Sequence, residues 1–394
     1  MVSLVIEVLV WTSLGLIVLS YAGYPLILIG LDAALELAAN LARLRRPVDR
    51  RRALDRAAPP PVSLIIAAHD EEKVLREKIE NCLAIDYPPD RLEILIGSDG
   101  STDGTEAIAR SYAGQGVRLL PGPRLGKAGV LNRLVPAAAG EIAVLSDANT
   151  LLAPGAVRRL VRRFADPRVG AVCGRIVLRA PGGAEQETSY WTYESLLKLY
   201  EGRRGAVLGA NGGLYALRRR LFSPLPPGTI TDDFVLPMRL LAEGWRVVYE
   251  PAAVAVEDAG TTATEVRRRV RIAAGNFQSL SLLPALWAGP RPAVALAFVV
   301  HKLVRWLGPL LLAVSLAGSA LLIRRSAFAG LLAAQLGFYA AALWGGGTRN
   351  GPVARLCRLA QHFVAMNLAL AAGFWRWLRG AQGPTWQRTE RRAA

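Results

Sequence analysis

Four carboxylate positions and one lysine in the middle of this 394-residue chain are of a type and spacing that can do chemistry. Asp99, in ILIGSDGSTDGT, ends an apolar run and is followed by Gly, Ser and Thr, so its carboxylate can accept hydrogen bonds from a base or a ribose. The same residues also suit a turn leading into a helix N-cap. Asp147, in VLSDANT, offers the hard oxygen that Mg²⁺ or Mn²⁺ on a diphosphate requires, or again a cap. Lys127, in GPRLGKAGVLN, puts a cation on a glycine-bearing loop, as a phosphate partner or as a surface lysine. Asp232 and Asp233 are adjacent in TITDDFVLPMRL. Neighbouring carboxylates repel, and partial burial raises a carboxylate's pKa, which suits a general base. Helix capping by Thr231 and Asp232 fits the same stretch, and one Asp can cap while the other catalyses.

Elements at the right places must hold these groups. VSLIIAAH (62–69), LEILIGSD (92–99), VRLLP (117–121) and EIAVLSDA (141–148) are short, β-rich apolar runs, with helical patterns near 72–83, 104–113, 127–138 and 154–164. Strands alternating with helices at this spacing predict an α/β fold with a mostly parallel sheet covered on both faces. Ligands of such sheets bind at the carboxyl ends of the strands. Asp70, Glu71, Asp99 and Asp147 all fall there.

The rest of the chain has a different character. It is 52% hydrophobic, and the excess lies in the first thirty or so residues and the last hundred. Residues 8–31 are apolar over the length that a bilayer core demands. No basic stretch precedes them and no small-residue cleavage site follows, which argues against a cleaved leader. The expected organisation is an N-terminal transmembrane helix (1–35), a basic linker (36–60) ending in AAPPP, and a cytoplasmic domain (61–260). Interfacial amphipathic helices (261–306), about three transmembrane helices (307–378) and a basic tail (379–394) complete it.

The net charge of +17 is concentrated beside the apolar segments, at Arg43, Arg45, Arg46, Arg50, Arg51, Arg52, Arg388, Arg391 and Arg392. Basic residues there mark the cytoplasmic flank of a span and attract anionic lipid. The partner they imply is a lipid bilayer, at a multi-pass position in the inner (plasma) membrane, and not a nucleic acid. The three cysteines, Cys82, Cys173 and Cys357, lie far apart without metal-ligand spacing and fit a reducing compartment.

Taken together and in order, AAHDEE, GSDGSTDGT, LGKAGVLN, SDANT, GANGGLYALRR and TDDFVLPMRLLAEGWRVVYEP resemble the inverting family-2 glycosyltransferases. Within them the resemblance is to the membrane-embedded branch that includes cellulose, chitin and hyaluronan synthases. It implies a GT-A type, Rossmann-like sheet and a nucleotide sugar, UDP-linked in the first instance, as donor. It also implies Mg²⁺ or Mn²⁺, and a glycan or polyprenyl-lipid acceptor. Residue by residue, Asp70 and Glu71 match the loop against the nucleotide, Asp99 the contact to uracil or ribose, and Lys127 the basic group near the diphosphate. Asp147 and Asn149 match the D-x-D motif that holds nucleotide and metal. Gly209, Asn211 and Gly212, with Asp232 beside the base, match the acceptor side, and Asp233 matches the general base.

Two departures qualify the match. The second D-x-D carboxylate is an amide, Asn149, which ligates a hard cation with less charge. The Q-x-x-R-W motif of processive relatives is replaced by TEVRRRVRIAAGNFQSL, whose Arg268 and Arg271 suit a diphosphate or lipid phosphate, or a solvated stripe. Trp386, in PTWQRTER, resembles the W-x-T-R element of chitin and hyaluronan synthases. The function expected is sugar transfer in exopolysaccharide or cell-surface glycan synthesis. The competing class is a catalytically silent, nucleotide-binding subunit of a partner synthase.

Overall fold

The computed structural model describes residues 1–45, 58–179, 189–258, 262–345, 347 and 351–383. The arginines from Arg46 to Arg52, and residues 384–394 of the basic tail with Trp386 among them, lie outside the described residues. The described chain divides into two compact units, one of Leu28–Glu265 with Gln278–Ala295, the other of Met1–Ile27, Val266–Phe277 and Leu296–Gln382.

The first unit is built on one eight-stranded sheet. Its strands are β1 (Val62–Ala68), β2 (Leu92–Ser98), β3 (Val117–Leu120), β4 (Ile142–Asp147), β5 (Thr150–Leu152), β6 (Val169–Arg179), β7 (Tyr215–Arg218) and β8 (Arg246–Asp258). The spatial order is β3-β2-β1-β4-β7-β6-β8-β5. Pairs β1–β2, β2–β3, β1–β4 and β6–β8 are parallel, whereas β7 runs antiparallel to both β4 and β6, and β5 antiparallel to β8. The four strands and four helices expected from the pattern all form.

β1 is buried at every position, as befits a strand covered on both faces. On one face Leu64, Ile66, Ile94, Ile96 and Val144 join Leu75, Ile79 and Cys82 of helix α1 (Glu72–Leu83) in the main core. The other helices needed below are α2 (Thr105–Ser111), α3 (Lys127–Ala137), α4 (Ala156–Arg162), α5 (Ser189–Arg203) and α6 (Asp232–Ala242).

One register decides the site. β7 pairs with β4 at Leu145↔Tyr215 in the antiparallel sense. The residues just before β7 therefore run alongside the carboxyl end of β4, which brings the GANGG segment to Asp147. Sequence periodicity predicts strands but does not say which strands become neighbours.

The second unit is helical and apolar. The N-terminal helix runs from Val2 to Asn40 with a π-helical turn at Leu19–Gly23, longer than the 8–31 segment predicted. It and Ser326–Trp344 are the two described helices long and apolar enough to cross a membrane. Over 307–378, where about three spans are expected, three helices form, Gly308–Leu321, Ser326–Trp344 and Pro352–Leu378. Gly308–Leu321 has only 14 residues and joins Pro292–Trp306 at a 63° bend, so the pair forms a broken span or a re-entrant loop. The 27-residue helix Pro352–Leu378 is long enough, but Arg355, Arg358, His362, Asn367 and Arg376 make it amphipathic. His301 and Arg305 are buried in this unit, Arg305 donating to the Ser20 carbonyl at 3.1 Å.

Candidate functional site

Lys127 opens α3, and its ammonium lies 2.7 Å from Asp147 Oδ1 and 3.5 Å from Asp232 Oδ2. Burial pulls its pKa down, but Asp147, Asp232 and Asp233 outweigh that and hold it above the usual lysine value. Asp232 is itself buried and accepts a 2.8 Å hydrogen bond from the Tyr215 hydroxyl. Burial first, then Asp232, pushes the Tyr215 phenol well above its ordinary pKa, so it stays a donor. Thr231, at the N-cap of α6, makes no side-chain cap bond. The capping alternative is therefore not what these residues do: Asp232 faces Lys127 and Tyr215 instead.

Asp233 is the next residue on α6. Burial, then repulsion from Asp232 and Asp147, raises its pKa from 3.8 to about 6, with Lys127 and Lys198 opposing. Beside it stands Gly212. A Cβ at that position would lie 3.0 Å from Asp233 Oδ2 and 3.7 Å from Asp147 Oδ2, so the gap between the two carboxylates exists because residue 212 has no side chain. A gap flanked by two carboxylates suits a small divalent cation, not a bare phosphate oxygen. Among the described residues no three His, Cys, Asp or Glu side chains gather to hold a metal. Asp147 and Asn149 would offer such an ion one carboxylate and one amide oxygen, a set that a diphosphate-bound Mg²⁺ or Mn²⁺ takes when phosphates and water complete its shell.

The segment before β7 is held from several sides. Glu201 accepts the Leu208 N–H at 3.1 Å, and the Asn211 amide donates to the Gly174 carbonyl at 2.7 Å while accepting from Lys198. Gly209 has φ +98°, and a Cβ there would meet Phe234 at 2.8 Å, so only glycine fits.

The nucleotide-side residues form a second group at the ends of β1 and β2. Asp70 adopts φ +52°, uncommon for a residue with a side chain, and its Oδ1 accepts the Thr102 N–H at 2.7 Å. Its own N–H donates to Ser101 Oγ, and the Glu71 N–H donates to Thr105 Oγ1 at 2.8 Å. Asp99 is placed unexpectedly. It is 0% exposed, and its carboxylate accepts the Leu125 N–H at 2.6 Å and the Gly126 N–H at 3.1 Å. In this structure it anchors the loop that delivers Lys127, rather than standing open to a base or ribose.

Lys127, Asp147, Gly212, Asp232 and Asp233 are thus one cluster, and Asp70, Glu71 and Asp99 mark the adjoining strand ends. Arg268 and Arg271 belong to the Thr262–Leu282 helix, whose Val266–Phe277 part falls in the other unit. Tyr215, Lys198 and Lys78 were not anticipated. Lys78 had a legible signal, a lysine inside the apolar stripe Leu75, Ile79, Cys82. Tyr215 and Lys198 had none.

A mixed sheet with carboxylates and one lysine gathered at the strand ends is the arrangement that a GT-A type glycosyltransferase calls for. Residues 59–275 match the family model described as "Glycosyltransferase like family 2", and the chain belongs to that family. It is 32% identical over 236 residues to a beta-monoglucosyldiacylglycerol synthase of Synechocystis, covering 56% of this chain and 48% of that protein. It is 25% identical over 202 residues to a poly-beta-1,6-N-acetyl-D-glucosamine synthase of Staphylococcus aureus, covering 49% and 48% respectively. The chain spans about half the length of the curated relatives it matches. Among solved structures, the mannosyltransferase PcManGT of Pyrobaculum calidifontis, in complex with GDP-Man and Mn²⁺, shares the fold. The TM-score is 0.67 at 24% identity, over 94% of this chain and 99% of that one.

Proposed function

We propose that this chain transfers a sugar from a nucleotide diphosphate sugar, a UDP-sugar in the first instance, to a hydroxyl of a glycan or lipid acceptor at a membrane. The anomeric centre is inverted, and the product is a cell-surface glycan or glycolipid. The observation that carries this reading is the placement of Asp233, a carboxylate set beside Gly212 and facing the Lys127–Asp147 pair, with its pKa pushed up by desolvation and by Asp232. A relative named for making monoglucosyldiacylglycerol supports a lipid acceptor, and one named for poly-N-acetylglucosamine supports a glycan. The long apolar helices support a membrane location.

In this mechanism the ionised Asp233 takes the proton from the acceptor hydroxyl. The acceptor oxygen forms its bond to the anomeric carbon from the face opposite the diphosphate, and the carbon–oxygen bond to the diphosphate breaks. The electron pair leaves with the nucleotide diphosphate. Lys127 neutralises part of the charge that develops there. Asp147 and Asn149 would hold Mg²⁺ or Mn²⁺, which supplies further charge neutralisation when bound. Tyr215 keeps Asp232 in place and paired, and Asp99 fixes the loop that carries Lys127.

The test is purified full-length chain in detergent with radiolabelled UDP-glucose, UDP-N-acetylglucosamine or GDP-mannose, Mg²⁺ or Mn²⁺, and diacylglycerol or polyprenyl phosphate. Labelled lipid or polymer is expected from the wild type, and about 10²–10⁴-fold less from Asp233→Asn. Full activity of that variant removes the base assignment. Nucleotide binding without turnover of any donor supports the silent-subunit reading instead.

A further inference from the structure

α1 carries a charge where its pattern calls for a hydrophobe. Lys78 shares the buried stripe of Leu75, Ile79 and Cys82 and is 0% exposed. An ammonium in such a place costs more to bury than a methionine of similar shape, so packing alone does not account for it. What the lysine does there is bond. Its Nζ donates to Ser146 Oγ at 2.7 Å and to the Thr150 carbonyl at 2.5 Å, the two ends of the turn that bears Asp147 and Asn149. Ser146 Oγ in turn donates to the Gly213 carbonyl at 2.8 Å, directly after Gly212. One turn further along α1, Asn81 accepts the Leu152 N–H at 2.8 Å and donates to the Leu152 carbonyl at 2.9 Å, closing the strand that follows.

We propose that Lys78 is a positioning residue for sugar transfer, holding the Ser146–Thr150 turn and the Gly212–Gly213 segment in one register so that Asp147 and Asp233 flank the same gap. This rests on the transferase reading above. The chain of bonds Lys78–Ser146–Gly213 joins the donor-side carboxylate to the segment that packs on the base, across two strands that sequence places far apart. Every heavy-atom contact in it is buried, so water does not substitute for a missing member. Burial lowers the Lys78 pKa, and Cys82 and Asp147 act against that. The lysine touches no reacting atom, and its effect runs through the geometry of Asp147 and Gly212.

Two full-length variants in detergent test this, with UDP and GDP titrated calorimetrically in the presence of Mn²⁺, thermal unfolding followed, and kcat and donor KM measured. Ser146→Ala cuts the link to Gly213 but leaves Lys78 on Thr150. It is expected to keep nucleotide affinity within about twofold and its folded state intact while kcat falls about 10–100-fold, the scale of a misplaced reacting group. Lys78→Met releases the turn itself and is expected to lose about tenfold in nucleotide affinity as well. A Ser146→Ala chain with wild-type kcat overturns the proposal. So does a loss of activity that only tracks loss of folded protein. If Lys78→Met does not fold, Ser146→Ala decides. Absence of turnover by the wild type sinks the transferase reading separately, and the nucleotide affinity of Lys78→Met then decides this one.

Discussion

Gly212 and Asp233 are close enough that a single methyl would matter: a Cβ on residue 212 would lie 3.0 Å from Asp233 Oδ2. The same Cβ would lie 3.7 Å from Asp147 Oδ2, so glycine keeps open the gap between the base and the donor-side carboxylate. Gly212 is not among the glycines with positive φ. Its backbone therefore accepts alanine, and the cost of the change is steric.

Gly212→Ala is accordingly expected to lower kcat by about 10–100-fold with little change in melting temperature. Gly209→Ala differs in kind, because φ +98° and the Phe234 ring make it a folding defect. Steady-state kinetics alongside thermal unfolding of both variants separates the two. Unchanged kcat in Gly212→Ala would show that the gap is not where the reaction occurs.

With the Asp233 pKa pushed up to about 6 by desolvation and by Asp232, kcat/KM is expected to rise with pH through that region and level off above it. Asp233→Asn should lose the limb and about 10²–10⁴ in kcat. The stability sign is opposite. A carboxyl whose folded pKa exceeds its unfolded 3.8 favours the protonated, folded state, and that contribution is lost as pH rises from about 4 to 6. Asp233→Asn is therefore expected to be more stable than wild type at pH 7, by roughly 1–3 kcal/mol. Equal melting temperatures across that pH range would argue against a half-buried, repelled carboxylate.

Lys127→Met removes the cation shared by Asp147 and Asp232. Since Lys127 opposes the upward shift of Asp233, the acidic limb should move to higher pH in the variant. The donor KM should rise and kcat fall, together about a hundredfold in kcat/KM, as the leaving diphosphate loses its counter-charge. A pH profile superimposable on wild type would remove Lys127 from the cluster's electrostatics.

Tyr215→Phe keeps the buried ring and deletes the hydroxyl that donates to Asp232 at 2.8 Å. Leaving that carboxylate oxygen short of a donor should cost about 1–3 kcal/mol, visible as a lower melting temperature. A fall in activity without destabilisation would instead place the phenol nearer the chemistry than its bond to Asp232 indicates.

Local order was legible in the sequence. Strand and helix positions, the acidic residues at strand ends and Lys127 at the start of its helix all follow from periodicity and turn chemistry, which act over a few residues. The apolar N-terminal helix was legible for the same reason. The partnership of those groups was not. Asp147 meets Gly212 because β7 runs antiparallel beside β4, and neither strand's composition names its neighbour. Asp99 could serve equally as a ligand or a loop anchor, and only the approach of Leu125 and Gly126 commits its two oxygens. The bend before Gly308 likewise depends on how helices break, beyond a hydropathy window. Sequence by itself determined which residues are able to react. Tertiary structure decided which of them share one gap, because burial, repulsion and hydrogen bonding depend on distances that only long-range strand pairing sets.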